Sequence, residues 1–161
     1  MTVIVHRVPV ASSGGLAEGP GCVVELSAAD LEADAVARLL ASVSADGDGF
    51  PPLSAKGLAG DARGRSGRVV RVWSAVRTDG AAQGLISLAE AAVSGKRRFS
   101  IPWLVVDPRD RRRGVGTALV RVALAAASEA GATDVSVETL STWTAAAAFW
   151  AQLARRTAAE G

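Results

Sequence analysis

The chain predicts an α/β protein, in detail an α+β one, with a mixed central sheet. Three observations carry this. Strand-like runs follow one another between residues 68 and 106 with only turns between them, which makes an antiparallel meander. From residue 99 onward the pattern reads strand, helix, strand, helix, the alternation of an α/β unit. A helical pattern precedes the meander. The 161 residues suit one domain over 1–161, with residues 1–21 as an N-terminal extension or loop.

The elements follow in order. "TVIVHRV" predicts a short strand, and "PVASSGGLAEGPG" is rich in Gly, Pro and Ser and reads as a loop. "CVVEL" reads as a strand. Ser27 is a plausible N-cap for a helix over 28–43, with Leu31, Ala35, Val36, Leu39 and Leu40 on one face. "SADGDGFPP" breaks the chain, and "LSAKGLAGDARG" holds a short second helix. "RVVRVWSAV" has the β-branched and aromatic content of a strand. After the turn "TDGAAQ", "GLISLAEAAV" is a strand whose alanines also allow a helix. "SGKRR" turns the chain, and "FSIPWLVV" is the third strand of the meander. Val115, Ala118, Leu119, Val122 and Ala126 then recur at helical spacing from Gly114 to about Ala130. "ATDVSVETL" alternates as a strand does, and "TAAAAFWAQLARR" is a final helix. There is no internal repeat.

Composition narrows the function classes. The chain is 49% hydrophobic and 21% charged, as a soluble globular protein is. A net charge of +2 argues against a polybasic nucleic-acid binder, and the arginine run lacks interleaved aromatics. One cysteine, Cys22, excludes an internal disulfide, and with one histidine, His6, it leaves no metal site. Cys22 is expected to be a small buried hydrophobe. No run reaches the roughly 18 apolar residues of a membrane span. The N-terminus lacks the charged and apolar blocks of a signal peptide, so a cytoplasmic location is expected.

The informative stretch is "VVDPRDRRRGVGTALV", residues 105–120. A hydrophobic strand runs into a turn, four arginines, Gly-x-Gly and a helix. The first N–H groups of a helix have no partner within it, and the helix dipole makes that end partly positive. An anion is the natural guest. Gly114 and Gly116 carry no Cβ, so a pyrophosphate can approach the backbone, and Arg111, Arg112 and Arg113 add charge around it. A Walker loop requires G-x-x-x-x-G-K-[ST], which does not occur. A dinucleotide fingerprint requires G-x-G-x-x-G directly after a strand. Here its third glycine is Leu119, and Asp107 to Arg113 intervene, although Glu138 lies near the distance of a ribose-binding acid. A charged surface turn before an ordinary helix is the remaining alternative.

The same stretch resembles the acyl-CoA-binding signature of the GNAT superfamily of N-acetyltransferases, a hydrophobic strand ending in V-x-P followed by R/Q-x-x-G-x-G/A. Val106, Pro108, Arg111, Gly114 and Gly116 fall in register. The resemblance runs from about Ala28 to Leu153 and implies the family's fold: an antiparallel meander, a CoA-binding helix after the fourth strand, and helices on both faces. It implies acetyl-CoA or another acyl-CoA as co-substrate. Backbone N–H groups of Arg111, Arg112, Arg113, Gly114, Val115, Gly116 and Thr117 would hold the pyrophosphate. Leu104, Val105 and Val106 would pair with the pantetheine amides, and a backbone N–H at Leu104 would stabilise the oxyanion.

The rest of the family pattern is altered. Its last helix commonly reads N-x-x-A-x-x-[FL]-Y-x-x-L-G-F, against "WTAAAAFWAQLAR" here. Ala146, Phe149 and Leu153 keep the pattern, Trp143 replaces the asparagine, and Trp150 replaces the tyrosine that usually protonates the departing thiolate. An indole N–H donates a hydrogen bond but is no acid, and the chain has no tyrosine. Ser100 stands where histone acetyltransferases of the superfamily carry a glutamate base. Glu90 and Glu138 are the alternatives, Glu90 ranked first. Family members usually continue with a C-terminal hairpin, for which no room is left before Gly161. Either "TVIVHRV" or a second subunit of a homodimer is expected to fill that space. Trp103 and Trp143 are expected to line an apolar acceptor pocket.

The expected function is acyl transfer from CoA, most simply of acetyl, to an amine of a small-molecule acceptor, by direct attack in a ternary complex. The alternative is a GNAT-like domain that binds acyl-CoA with little transferase activity or performs different chemistry. Neither reading involves nucleic acid, membrane or metal.

Overall fold

A computed structural model describes residues 3–10, 22–45, 55–62, 68–140 and 144–160. Seven strands build one mixed sheet: β1 (Val3–Pro9), β2 (Cys22–Leu26), β3 (Arg68–Val76), β4 (Ala82–Val93), β5 (Lys96–Ser100), β6 (Leu104–Val106) and β7 (Asp134–Leu140). The helices are α1 (Asp34–Ala45), α2 (Ala55–Ala62), α3 (Val115–Glu129) and α4 (Thr144–Glu160). The strand order is β1-β7-β5-β4-β3-β2, and β6 lies beside β4 off that path. The expected meander is present as β3, β4 and β5, each antiparallel to the last.

Each sheet face carries its own core. Trp73, Ile86, Leu88, Phe99 and Val137 pack against α3 and against Trp150 and Leu153 of α4. Val70, Val72, Leu85 and Ala89 of the other face pack against Leu39, Leu40 and Val43 of α1 and Leu58 of α2. The alternation along β3 and β4 sends neighbouring side chains to opposite layers, as a doubly covered sheet requires. No helix among the described residues is long and apolar enough to cross a membrane.

Three local readings change. The first helix begins at Asp34 rather than near Ala28, because Ser27 and Asp30 bond to each other across a turn that leads into a short 3-10 helix, Asp30–Glu32, instead. The Ser27 N–H donates to Asp30 Oδ2 at 2.8 Å, and the Asp30 N–H donates to Ser27 Oγ at 3.2 Å. Only Ser94 and Gly95 form the β4–β5 turn, both at positive φ, which is the twist a two-residue hairpin favours. Lys96 to Arg98 therefore belong to a strand. Cys22 is exposed, since it opens the edge strand β2 and is not the buried hydrophobe expected.

The expected third strand of the meander is also split, and this split makes the site. The Ile101 N–H still donates to Ser136 of β7, at 3.0 Å. Pro102 has no N–H to continue a ladder. By Trp103 the chain follows β4 alone, its carbonyl accepting from Ser87 N at 3.1 Å. β5 is parallel to β7 at Ser100↔Ser136, whereas β6 pairs only with β4. The sheet opens between β6 and β7. On the far side of β7 lies β1, antiparallel, from Val3↔Leu140 to Pro9↔Asp134. The described part of the expected N-terminal strand, from Val3 onward, thus completes the sheet beyond β7.

Candidate active-site cleft

Where β6 and β7 part, a cleft of about 550 Å³ opens between β6, the N-terminus of α3 and the first turns of α4. Val43 at the end of α1 closes one side. The wall is mostly apolar, with Leu104, Val106, Val115, Phe149 and Trp150 among its residues. Asp110, Arg111, Arg112 and Thr117 supply the polar part.

The free edge of β6 faces this cleft. In an antiparallel strand the backbone groups of successive residues point to opposite edges. The Trp103 carbonyl accepts from Ser87, and the Asp107 N–H donates to Gln83 O at 2.8 Å, so the odd-numbered residues serve β4. The amides of Leu104 and Val106 point the other way. Gly84 lets β6 lie this close to β4 and α3: a Cβ there would stand 2.8 Å from the Val105 carbonyl oxygen and 3.0 Å from Leu119 Cδ1.

The turn into α3 is built from buried acids and exposed arginines. Asp107 caps the 3-10 turn Pro108–Asp110, accepting from the Arg109 N–H at 3.0 Å. The Arg109 side chain donates to the same carboxylate, and this hydrogen bond holds the Asp107 carboxyl below its usual range. Asp110 is 1% exposed and ion-paired to Arg77 at 2.6 Å. Arg112 and Gly114 both take positive φ, +64° and +81°. Gly114 is the N-cap of α3 and gives it no side-chain acceptor. The first amides of α3 are thereby left to a ligand. Arg77, Arg109, Arg111, Arg112 and Arg113 against Asp107 and Asp110, five charges less two, leave an excess of three positive charges. Gly116 faces the cleft, its missing Cβ 3.6 Å from Val106 Cγ2 and 3.8 Å from the Phe149 ring.

The expected cofactor residues Leu104, Val105, Val106, Arg111, Arg112, Gly114, Val115, Gly116 and Thr117 all line this one cleft. The Arg113 side chain turns toward Asp110, with Nη1 3.9 Å from Oδ1. Trp150 lines the cleft and is buried, set edge-on to Phe149 with ring centroids 5.1 Å apart. Trp103 packs against the α1–α2 layer rather than the cleft wall. Trp143 lies outside the described residues.

The two carboxylates are placed differently. Glu90 is held by Arg97, which also donates to the Ala130 carbonyl at the C-terminal end of α3. The 15-residue helix puts that end about 22 Å from the glycine turn. Glu138 is exposed on β7, past the point where β5 and β7 pair, with its cross-strand neighbour Val5 on β1. Neither lines the cleft. The sequence reading missed Asp110 and Arg77, since an aspartate inside an arginine run gives no sign of burial.

A family model described as the acetyltransferase (GNAT) family matches residues 50–154. No curated protein matches the chain. Among solved structures, it is similar to an aminoglycoside acetyltransferase from an uncultured soil metagenomic sample, crystallised with sisomicin. The identity is 19% over 82% of this chain and 86% of that one, with a TM-score of 0.62. An acetyltransferase from Trypanosoma brucei is 26% identical over 74% of this chain and 82% of that one, with a TM-score of 0.53. A glucosamine N-acetyltransferase region in a fungal multi-domain β-N-acetylglucosaminidase is 21% identical, with a TM-score of 0.62. That match covers 77% of this chain and spans 14% of the fungal protein.

Proposed function

The chain belongs to the acetyltransferase (GNAT) family, and on that premise we propose that it moves an acyl group, most simply acetyl, from acyl-CoA to the amine of a small-molecule acceptor by direct attack in a ternary complex. The observation that carries this is the meeting of the free β6 edge with an uncapped, arginine-rich helix mouth in one cleft. A ligand with a pyrophosphate at one end and an amide-containing arm fits both. A small-molecule acceptor agrees with the aminoglycoside acetyltransferase that the fold resembles.

The chain's own residues divide the work. Amides of 111–117 and the arginine side chains would hold the pyrophosphate. Amides of Leu104 and Val106 would hold the pantetheine arm as a further strand would. CoA, when bound, supplies an activated thioester. The Leu104 N–H would stabilise charge developing on its oxygen. Trp103, which lies outside the cofactor wall, and Trp143 are the residues proposed for the acceptor pocket. Glu138, on a strand that borders the opening, is the better base than Glu90, which is held at the far end of α3. An amine that arrives unprotonated needs only weak help, and proximity supplies most of the rate.

The test is CoA thiol release from acetyl-CoA against a panel of amines. Amine-dependent release is the expected result. Tight CoA binding without release above hydrolysis would support the second reading, an acyl-CoA-binding domain with little transferase activity. Trp150 favours that second reading, because an indole occupies the place of the usual acid and the chain has no tyrosine.

A further inference from the structure

We propose that Arg77 is a positioning residue for the pyrophosphate turn and acts through Asp110. This rests on the reading of the cleft as an acyl-CoA site. Arg77 follows the last residue of β3, and Asp110 ends the 3-10 turn that leads into Arg111. Arg77 Nη2 donates to Asp110 Oδ2 at 2.6 Å. Arg77 is about one-third exposed and does not line the cleft, whereas Asp110 is buried and does.

The acid is placed at a cost. A buried carboxylate needs a partner to offset its lost hydration. The Asp110 carboxylate has one hydrogen bond, from Arg77, while its Oδ1 is buried without any. Arg113 approaches that oxygen from the other side, at 3.9 Å. An apolar side chain would fill the same space without this penalty, so packing alone does not explain an acid here. The strain in the turn does. Arg112, a non-glycine residue, and Gly114 both lie at positive φ within three residues. Such backbone persists only where its surroundings over-determine it. The arginines of the turn also repel one another until an anion arrives. Asp110 lowers that repulsion from beneath, and Arg77 ties Asp110 to the sheet. The turn is held open for its ligand in advance, which reduces the ordering cost of binding.

The experiment compares wild type with Arg77→Met, Arg77→Lys and Asp110→Asn. It measures CoA binding by calorimetry, steady-state kinetics, and amide hydrogen exchange of the ligand-free proteins. Arg77→Met is expected to raise the CoA Kd and the acyl-CoA KM roughly tenfold, about 1.4 kcal/mol, with kcat at saturation within about twofold. Exchange should quicken in 109–117 and remain unchanged in β3 and β4. Arg77→Lys should restore most of the affinity. Asp110→Asn keeps the shape, loses the charge and should show the same split between KM and kcat. A CoA Kd within twofold of wild type in folded Arg77→Met overturns the proposal, as does faster exchange spread over the whole sheet. Failure of wild type to bind CoA would remove the functional reading instead. The exchange measurement would still decide for or against the clamp.

Discussion

Gly84 of β4 lies against Val105 of β6 so closely that a Cβ on it would stand 2.8 Å from the Val105 carbonyl oxygen. The same Cβ would meet Leu119 Cδ1 at 3.0 Å and Val115 Cγ1 at 3.3 Å, both on α3. One missing methyl thus lets three elements converge at the base of the cleft. Because one of the obstructing atoms belongs to the backbone, no rotamer change relieves the clash. Gly84→Ala is expected to destabilise the fold by about 1–3 kcal/mol, the usual cost of overpacking. Urea unfolding of the variant beside wild type measures it, and an unchanged midpoint would contradict the packing described.

Gly116 makes the opposite case. A Cβ there meets only ordinary contacts, at 3.6 Å or more. Gly116→Ala should therefore fold like wild type. Gly116→Asp adds a carboxylate at the helix mouth, where an anion is to bind. CoA affinity is expected to fall at least tenfold, about 1.4 kcal/mol. Calorimetry showing unchanged CoA binding in folded Gly116→Asp would sink the pyrophosphate assignment, and NADH binding in its place would revive the dinucleotide reading.

His6 ties β1 to β7 from within. Its Nε2 is 3.0 Å from the Thr139 hydroxyl, and both side chains are buried. Burial pushes the His6 pKa below its ordinary value of 6.5. The unfolded chain therefore takes up a proton at a higher pH than the folded one. The contribution of neutral His6 is complete above pH 6.5 and is lost as pH falls from there through the depressed folded value. Wild type should lose more thermal stability between pH 7 and pH 5 than His6→Gln, which keeps a hydrogen-bonding group that does not titrate. Equal losses in the two proteins would show that another group sets the slope.

The contrast between legible and illegible features follows the range of the interactions. The α3 helix was legible because Val115, Ala118, Leu119 and Ala126 repeat at helical spacing and are buried in the structure. The glycine turn was legible because its chemistry is local. The split of the third meander strand at Pro102 was not foreseen, although a proline inside a central strand is a warning. Its consequence, the opening between β6 and β7, depends on which strands flank it. The Arg77–Asp110 pair joins residues 33 apart, and nothing in either segment names the other. The setting of Glu90 was hidden in the same way: its partner Arg97 sits across a hairpin and reaches on to α3. The place of β1 beside β7 was one of two expected solutions, and the choice rested on a pairing across most of the chain.

Trp150 carries the sharpest test of the chemistry. It is 4% exposed, lines the cleft and stands edge-on to Phe149. Its indole N–H cannot protonate a departing thiolate. Trp150→Phe therefore removes no acid and should keep the chemical step within about threefold. Loss of part of a buried ring system should cost stability, by about 1–2 kcal/mol. Trp150→Tyr restores a phenol at the family's acid position. It should raise the single-turnover rate wherever its hydroxyl comes within hydrogen-bond reach of the sulfur, since general-acid help is typically worth about 10²–10⁴-fold. The gain should fade as pH rises through the phenol's own titration near 10. Single-turnover kinetics on folded variants at several pH values distinguish these outcomes. A hundredfold loss in Trp150→Phe, with CoA affinity and folding intact, would contradict the claim that this position has ceased to act. It would assign the indole a direct part in orienting the acceptor or a proton-carrying water.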